Sequence, residues 1–146
     1  RRDPMAMKPF CGYNFADYWS HWLEIGKKLK NPPKIYHVNW FRRDAQNKFL
    51  WPGYGENLRV LEWVLERCAG RGGMQETAIG QLPRPSDLNL KGLDIAPAAI
   101  QELLSVDRDL WKKEASDLAG DFAEYGSRTP EALKSELAKL VQRLGA

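Results

Sequence analysis

Cysteine and histidine are scarce in this chain, with two of each among 146 residues. Cys11 and Cys68 lie far apart, and no Cys or His stands at metal-site spacing. With no sign of a disulfide framework, each thiol reads as a buried one. His21 sits on a helical stretch beside Trp22, and His37 inside a strand-like stretch. Neither has a carboxylate or thiol partner at recognisable spacing, so both read as structural rather than as general bases. Asp3, Glu24 and Asp44 make no metal-ligand pattern. The Gly-x-x-x-x-Gly-Lys-Ser/Thr phosphate loop and the Gly-x-Gly-x-x-Gly turn are both missing. No apolar run approaches a membrane span, and the opening Arg-Arg-Asp-Pro-Met-Ala-Met-Lys-Pro-Phe has no signal-peptide form. The expectation is a soluble, cytoplasmic protein with neither a catalytic nor a metal-binding residue of its own. The first residue is Arg rather than Met, which reads as a piece of something longer.

Charges of both signs are plentiful and nearly balanced, with 22 Lys and Arg against 19 Asp and Glu. The net charge of +3 tolerates an anionic ligand but does not mark a nucleic-acid binder. A hydrophobic content of 43% and a charged content of 28% fit a folded domain of ordinary size with a real core.

An irregular lead-in over 1–13 gives way to a helix capped by Asn14 and running to about Lys30. Phe15, Tyr18, Trp19, Trp22, Leu23, Ile25 and Leu29 recur at helical spacing as a core-facing stripe. Asn31-Pro32-Pro33 ends that helix. Lys34 to Phe41 is β-prone, Arg42 to Asn47 is turn-like, and Lys48 to Trp51 completes a hairpin. Pro52-Gly53-Tyr54-Gly55 is a loop. A second helix runs from Glu56 or Asn57 to Ala69, with Leu58, Leu61, Val64, Leu65 and Cys68 on one face and Gly70 at its stop. Residues 72–85 are turn-rich, with a short strand around Thr77 to Leu82. Helices follow at Ala98 to Leu104, Asp107 to about Tyr125, and Pro130 to Leu144, the last behind a Thr129 cap. The fold class expected is α+β: helix, β-hairpin, helix, then a helical appendage over 97–146.

What the chain has in plenty is aromatic residues in one place. Between Asn39 and Asn57, five of its sixteen aromatics fall within nineteen residues, beside Pro, Gly and charged side chains. Phe41, Phe49 and Tyr54 are placed to converge on one slot, and base–aromatic contacts are worth about 1–3 kcal/mol each. Gly53 and Gly55 let the backbone come close to a ligand. Asn57 offers an acceptor and two donors to a guanine edge. Free N–H groups at the start of the second helix are available to supplement it. The plainer alternative makes Trp40, Phe49 and Trp51 the core of a hairpin and Asn57 a helix cap. Arg42 and Arg43 either face phosphates or form a charged turn, the second being the default.

These residues resemble a known family. Asp3-Pro4-Met5-Ala6-Met7-Lys8-Pro9-Phe10, Gly12-Tyr13-Asn14, Pro33 to Phe41, Phe49 to Asn57 and Arg59-Val60-Leu61-Glu62-Trp63 are similar to the C-terminal part of GTP-dependent phosphoenolpyruvate carboxykinase. So are Thr77-Ala78-Ile79-Gly80 and Asp87 to Leu93. The resemblance implies a larger α/β, kinase-like nucleotide-binding domain of which 1–146 is the C-terminal part. It implies a lyase (decarboxylase) of gluconeogenesis: oxaloacetate and GTP give phosphoenolpyruvate, GDP and carbon dioxide, with Mn2+ or Mg2+ stabilising the enolate. Carried over by position, Phe41, Phe49, Tyr54 and Asn57 grip the guanine, with the backbone at Gly55 and Glu56 close by. The family usually has Phe where Tyr54 stands; Tyr keeps the stacking face. The family's phosphate loop with its reactive Cys, its metal ligands, its oxaloacetate-binding Arg and its lid lie upstream. Cys11 and Cys68 do not take that role. The partners implied are GTP or GDP and the remainder of a monomeric enzyme, with no nucleic acid and no membrane. The competing readings are a free-standing nucleotide- or single-strand RNA-binding module without catalysis, and a helical packing unit that binds nothing small.

Overall fold

The computed structural model describes Asp3 and residues 6–145. Parts of the expected lead-in and the Pro4-Met5 pair of the resemblance lie outside the described residues. The architecture is α+β: five α-helices and one two-stranded antiparallel sheet among the described residues. The chain divides into two compact units, 1–33 with 107–146, and 34–106.

In the first unit, helix α1 spans Phe15–Lys28. The Asn14 carboxamide oxygen accepts the Ala16 N–H at 2.9 Å, as its cap position demands. Phe15 and Ala16 are buried, and the rings of Phe15, Trp19, Phe122 and Tyr125 pack edge to face; Trp19 and Tyr125 are 4.8 Å apart. The expected core-facing stripe is only half right. Trp22, Ile25 and Leu29 are each more than 40% exposed, whereas Phe15 and Ala16 at the start of α1 are buried.

Helix α4 (Arg108–Glu124) is capped by Asp107, whose carboxylate accepts from the N–H groups of Asp109 and Leu110. Helix α5 (Glu131–Leu144) packs on α4. It begins one residue later than expected, with Pro130 itself at the cap. The Thr129 hydroxyl does not cap α5; it donates to the Phe122 carbonyl at 2.7 Å. At the other end, Gly145 takes φ +70° and the Arg108 guanidinium donates to the carbonyls of Arg143 and Leu144, groups that a helix end leaves unpaired.

The second unit carries α2 (Asn57–Cys68), β1 (Gln75–Thr77), β2 (Gly80–Leu82) and α3 (Pro97–Leu103). Its core is built on Leu50, Trp51, Trp63 and Ile100. The hairpin expected over 34–51 does not form. It shrinks to a single antiparallel bridge between Arg43 and Phe49. The reason is local. Asp44 draws the turn tight by accepting from the N–H groups of Gln46 and Lys48, and Asn47 sits at φ +66°. Leu50 and Trp51 then turn into the core and Pro52 follows. Ile35 and Val38 are exposed, so 34–41 lacks the half-buried surface that gives β-prone residues their preference.

The strand expected around 77–82 is a hairpin instead, pairing Gln75 with Leu82 and Thr77 with Gly80 about a turn at Ala78-Ile79. Helix α2 stops as expected, with Gly70 at φ +75°. The face that it buries is not the expected one. Trp63 is buried and donates through its indole to the Gly73 carbonyl at 2.9 Å, whereas Leu58, Leu61 and Leu65 are exposed. Neither thiol is buried: Cys11 is half-buried, and Cys68 is exposed in the last turn of α2, 4.0 Å from the Tyr36 hydroxyl. Desolvation pushes the Tyr36 hydroxyl above its ordinary pKa, and the hydrogen bond with Cys68 adds to that. No helix among the described residues is long and apolar enough to cross a membrane.

Candidate functional site

The aromatic cluster of 39–57 separates into two groups. Trp51 is 6% exposed and Leu50 is 8% exposed, so these belong to the core of the second unit. Phe41, Phe49 and Tyr54 are exposed, at 71%, 52% and 92%. Trp40 is half-buried. The plainer alternative therefore holds for Trp51 and fails for Phe49.

The bridge at Arg43 brings Phe41 and Phe49 together, with ring centroids 6.1 Å apart and planes inclined at 61°. As placed, the two rings meet edge to face, and a base that is to lie between them must first turn one aside. The Arg43 guanidinium lies over Phe49 and also donates to the Asn47 carbonyl at 2.8 Å. Tyr54 has no ring contact among the described residues, and its ring stands in solvent.

The loop after Trp51 is shaped by Gly53, at φ +126° and ψ −168°, a region open in practice only to glycine. From there Tyr54–Glu56 forms a 3₁₀ turn that runs into α2. The Glu56 N–H bonds the Gly53 carbonyl and the Asn57 N–H bonds the Tyr54 carbonyl. These two donors, expected to be free for a ligand, are thus already taken. A Cβ at Gly53 or Gly55 would meet nothing within 4 Å, so the surface above this loop is open. The Glu56 carboxylate accepts from Arg59, which also donates to the carbonyls of Asn89 and Lys91. This ties the start of α2 to the segment after the sheet.

Asn57 is the first residue of α2 and does not serve as its side-chain cap. Its carboxamide oxygen accepts the indole N–H of Trp51 at 2.9 Å. Of the expected site residues the structure thus brings Phe41 and Phe49 into contact, leaves Tyr54 without a ring partner and binds the Asn57 carboxamide to Trp51. Sequence reasoning named Asn57 but missed Trp51, whose signal is a donor-only indole a short glycine turn away from an amide.

Arg42 and Arg43 are both engaged by the protein. Arg42 donates to the carbonyls of Leu103 and Ser105 and to the Ser105 hydroxyl, closing the end of α3. Among the described residues, no three His, Cys, Asp or Glu side chains come together so as to hold a metal ion.

A family model described as the phosphoenolpyruvate carboxykinase C-terminal P-loop domain matches residues 1–143. Relatives named phosphoenolpyruvate carboxykinase (GTP) are 50% identical in Treponema pallidum and 49% in Thermoplasma volcanium, over 99% of this chain. One from Neocallimastix frontalis is 48% identical over 100% of this chain. The chain spans about a quarter (24%) of the length of each.

Proposed function

The chain belongs to the GTP-dependent phosphoenolpyruvate carboxykinase family, and from that premise we propose that it is the guanine-recognising C-terminal portion of such an enzyme. The whole protein then converts oxaloacetate and GTP to phosphoenolpyruvate, GDP and carbon dioxide, a cytoplasmic step of gluconeogenesis. The phosphoryl chemistry and the Mn2+ or Mg2+ it uses belong to residues outside this segment. The segment by itself binds and does not catalyse, within the larger nucleotide-binding domain of a monomeric enzyme.

The observation that carries this reading is the exposed Phe41–Phe49 pair on the same loop system as a carboxamide held in one orientation. In this reading the rings stack on the purine, Tyr54 adds a third face, Asn57 reads the base edge, and the open backbone at Gly55 and Glu56 passes close to it. The exposed apolar faces of α1 and α2 fit a segment that the rest of the enzyme covers. The single-strand RNA reading loses its cationic support, since Arg42 and Arg43 are occupied.

The test is Asn57→Ala in the full-length enzyme, assayed with GTP and with ATP. The GTP preference is expected to fall at least tenfold, the scale of a lost hydrogen bond to a buried base edge. An unchanged preference would show that Asn57 does not read the base.

A further inference from the structure

We infer that Trp51 is a positioning residue for base selection: its indole fixes the Asn57 carboxamide so that the amide nitrogen, not the oxygen, meets the base. The inference rests on the reading of Asn57 given above. An indole N–H only donates, so the atom it meets in Asn57 must be the oxygen. Trp51 is 6% exposed, which leaves water little access to substitute for that acceptor. Turning the amide over would set an NH2 group against an N–H donor and leave the indole unpaired. The Asn57 backbone N–H is already bonded to Tyr54, so it offers no competing contact. Among the described residues, no protein acceptor takes the Asn57 amide nitrogen.

An amide nitrogen presented in this way selects for an acceptor. Guanine carries an oxygen at position 6, and adenine carries an amino group there, itself a donor. Selectivity against adenine then comes from the donor–donor clash that Trp51 prevents the amide from escaping. Without the indole N–H, the carboxamide turns to suit either base. Asn57 touches the nucleotide in this account, and Trp51 acts only through it.

The experiment compares full-length wild type, Trp51→Phe, Asn57→Ala and the double variant, measuring kcat/KM for GTP, inosine triphosphate and ATP. Trp51→Phe keeps an aromatic ring in the core and removes the donor together with part of the indole's volume, so its loss of stability is read separately from its base preference. Its GTP:ATP and inosine:ATP ratios are expected to fall about tenfold, the scale of one lost hydrogen-bond constraint. Its GTP:inosine ratio is expected to stay put, since both bases carry the position-6 oxygen. The double variant is expected to discriminate no worse than Asn57→Ala alone. If Asn57→Ala loses discrimination while Trp51→Phe retains it, the positioning role is wrong and the reading of Asn57 stands. If Asn57→Ala itself discriminates like wild type, the guanine reading fails first. An equal loss for all three nucleotides in Trp51→Phe would reduce Trp51 to a packing residue. Should Trp51→Phe not fold, a neutron structure of the GTP-bound wild type, in which amide nitrogen and oxygen are told apart, decides: Asn57 Nδ2 on the base O6 supports the inference, and Oδ1 turned toward the base overturns it.

Discussion

The Arg43 guanidinium sits over the Phe49 ring, its central carbon 4.0 Å from the ring centroid, so the two faces of that ring are not equivalent. One face meets a cation, and the Phe41 ring stands edge to face with Phe49 at 6.1 Å. The same guanidinium holds the Asn47 carbonyl and so closes the turn that carries Phe49. An exposed cation–π contact contributes about 0.5–1 kcal/mol. Arg43→Ala is therefore expected to raise the KM for GTP several-fold in the full-length enzyme with kcat unchanged, the pattern of lost uniform binding. Steady-state kinetics with GTP varied checks this; a fall in kcat at constant KM would contradict it.

Phe41 and Phe49 lie largely outside the core, so their truncation separates binding from folding. Phe49→Ala is expected to weaken GTP binding by about 1–3 kcal/mol, the worth of one base–aromatic stack. Its thermal midpoint is expected to move little, because a surface substitution shifts stability by about 0.5 kcal/mol or less. Trp51→Ala is expected to differ by losing stability on the order of 3–5 kcal/mol, as for a buried aromatic. Nucleotide titration and thermal melts of the two variants side by side make the comparison.

The parts of this structure that were legible in the sequence are those decided within a few residues. Asn14 caps α1 because its side chain reaches a neighbouring N–H, and Gly70 ends α2 because it accepts φ +75°. Helical periodicity correctly located α1 and α2, but a period shows which face is apolar and not whether a neighbour covers it. That is why Leu58 and Leu65 are exposed on α2, and why Trp63 takes the buried role. The strand over 34–41 failed for a related reason: β preference needs a partner and a surface, and Asp44 folds the chain back too tightly to supply a ladder. The candidate site was legible as residue types. The Trp51–Asn57 bond was not, because it depends on the backbone path that Gly53 sets.

Asp87 offers a pH-dependent measure of the second unit. Its carboxylate takes the Arg84 backbone N–H at 2.8 Å and two guanidinium nitrogens. The hydrogen bonds from the Arg84 side chain, then from its backbone, hold the Asp87 carboxyl below its ordinary pKa of 3.8. A folded pKa below the unfolded one means stability that is fully present above the unfolded value and lost as pH falls through the folded one. Wild type is therefore expected to exceed Asp87→Asn in stability at pH 6, with the gap closing below about pH 4. Urea melts of the full-length protein across that range check the sign, and added salt is expected to narrow the gap because Arg84 is exposed.

Gly53 and Gly55 separate two reasons for which a loop near a ligand uses glycine. Gly53 lies at φ +126° and ψ −168°, so any side chain there is strained although the space around it is open. Gly53→Ala is expected to cost about 1–3 kcal/mol and to displace the turn carrying Tyr54 and Asn57, raising the KM for GTP together with the loss of stability. Gly55 has no such backbone constraint, and a Cβ there meets nothing within 4 Å. Gly55→Ala is therefore expected to leave the thermal midpoint unchanged. If the nucleotide passes close to this backbone, as proposed, the added methyl still weakens GTP binding, because it fills space that the protein leaves empty. Melting curves with and without GTP distinguish the cases: Gly53→Ala lowers the midpoint of the free protein, while Gly55→Ala lowers only the increment that GTP adds. A Gly55→Ala protein with the full increment would place the base elsewhere.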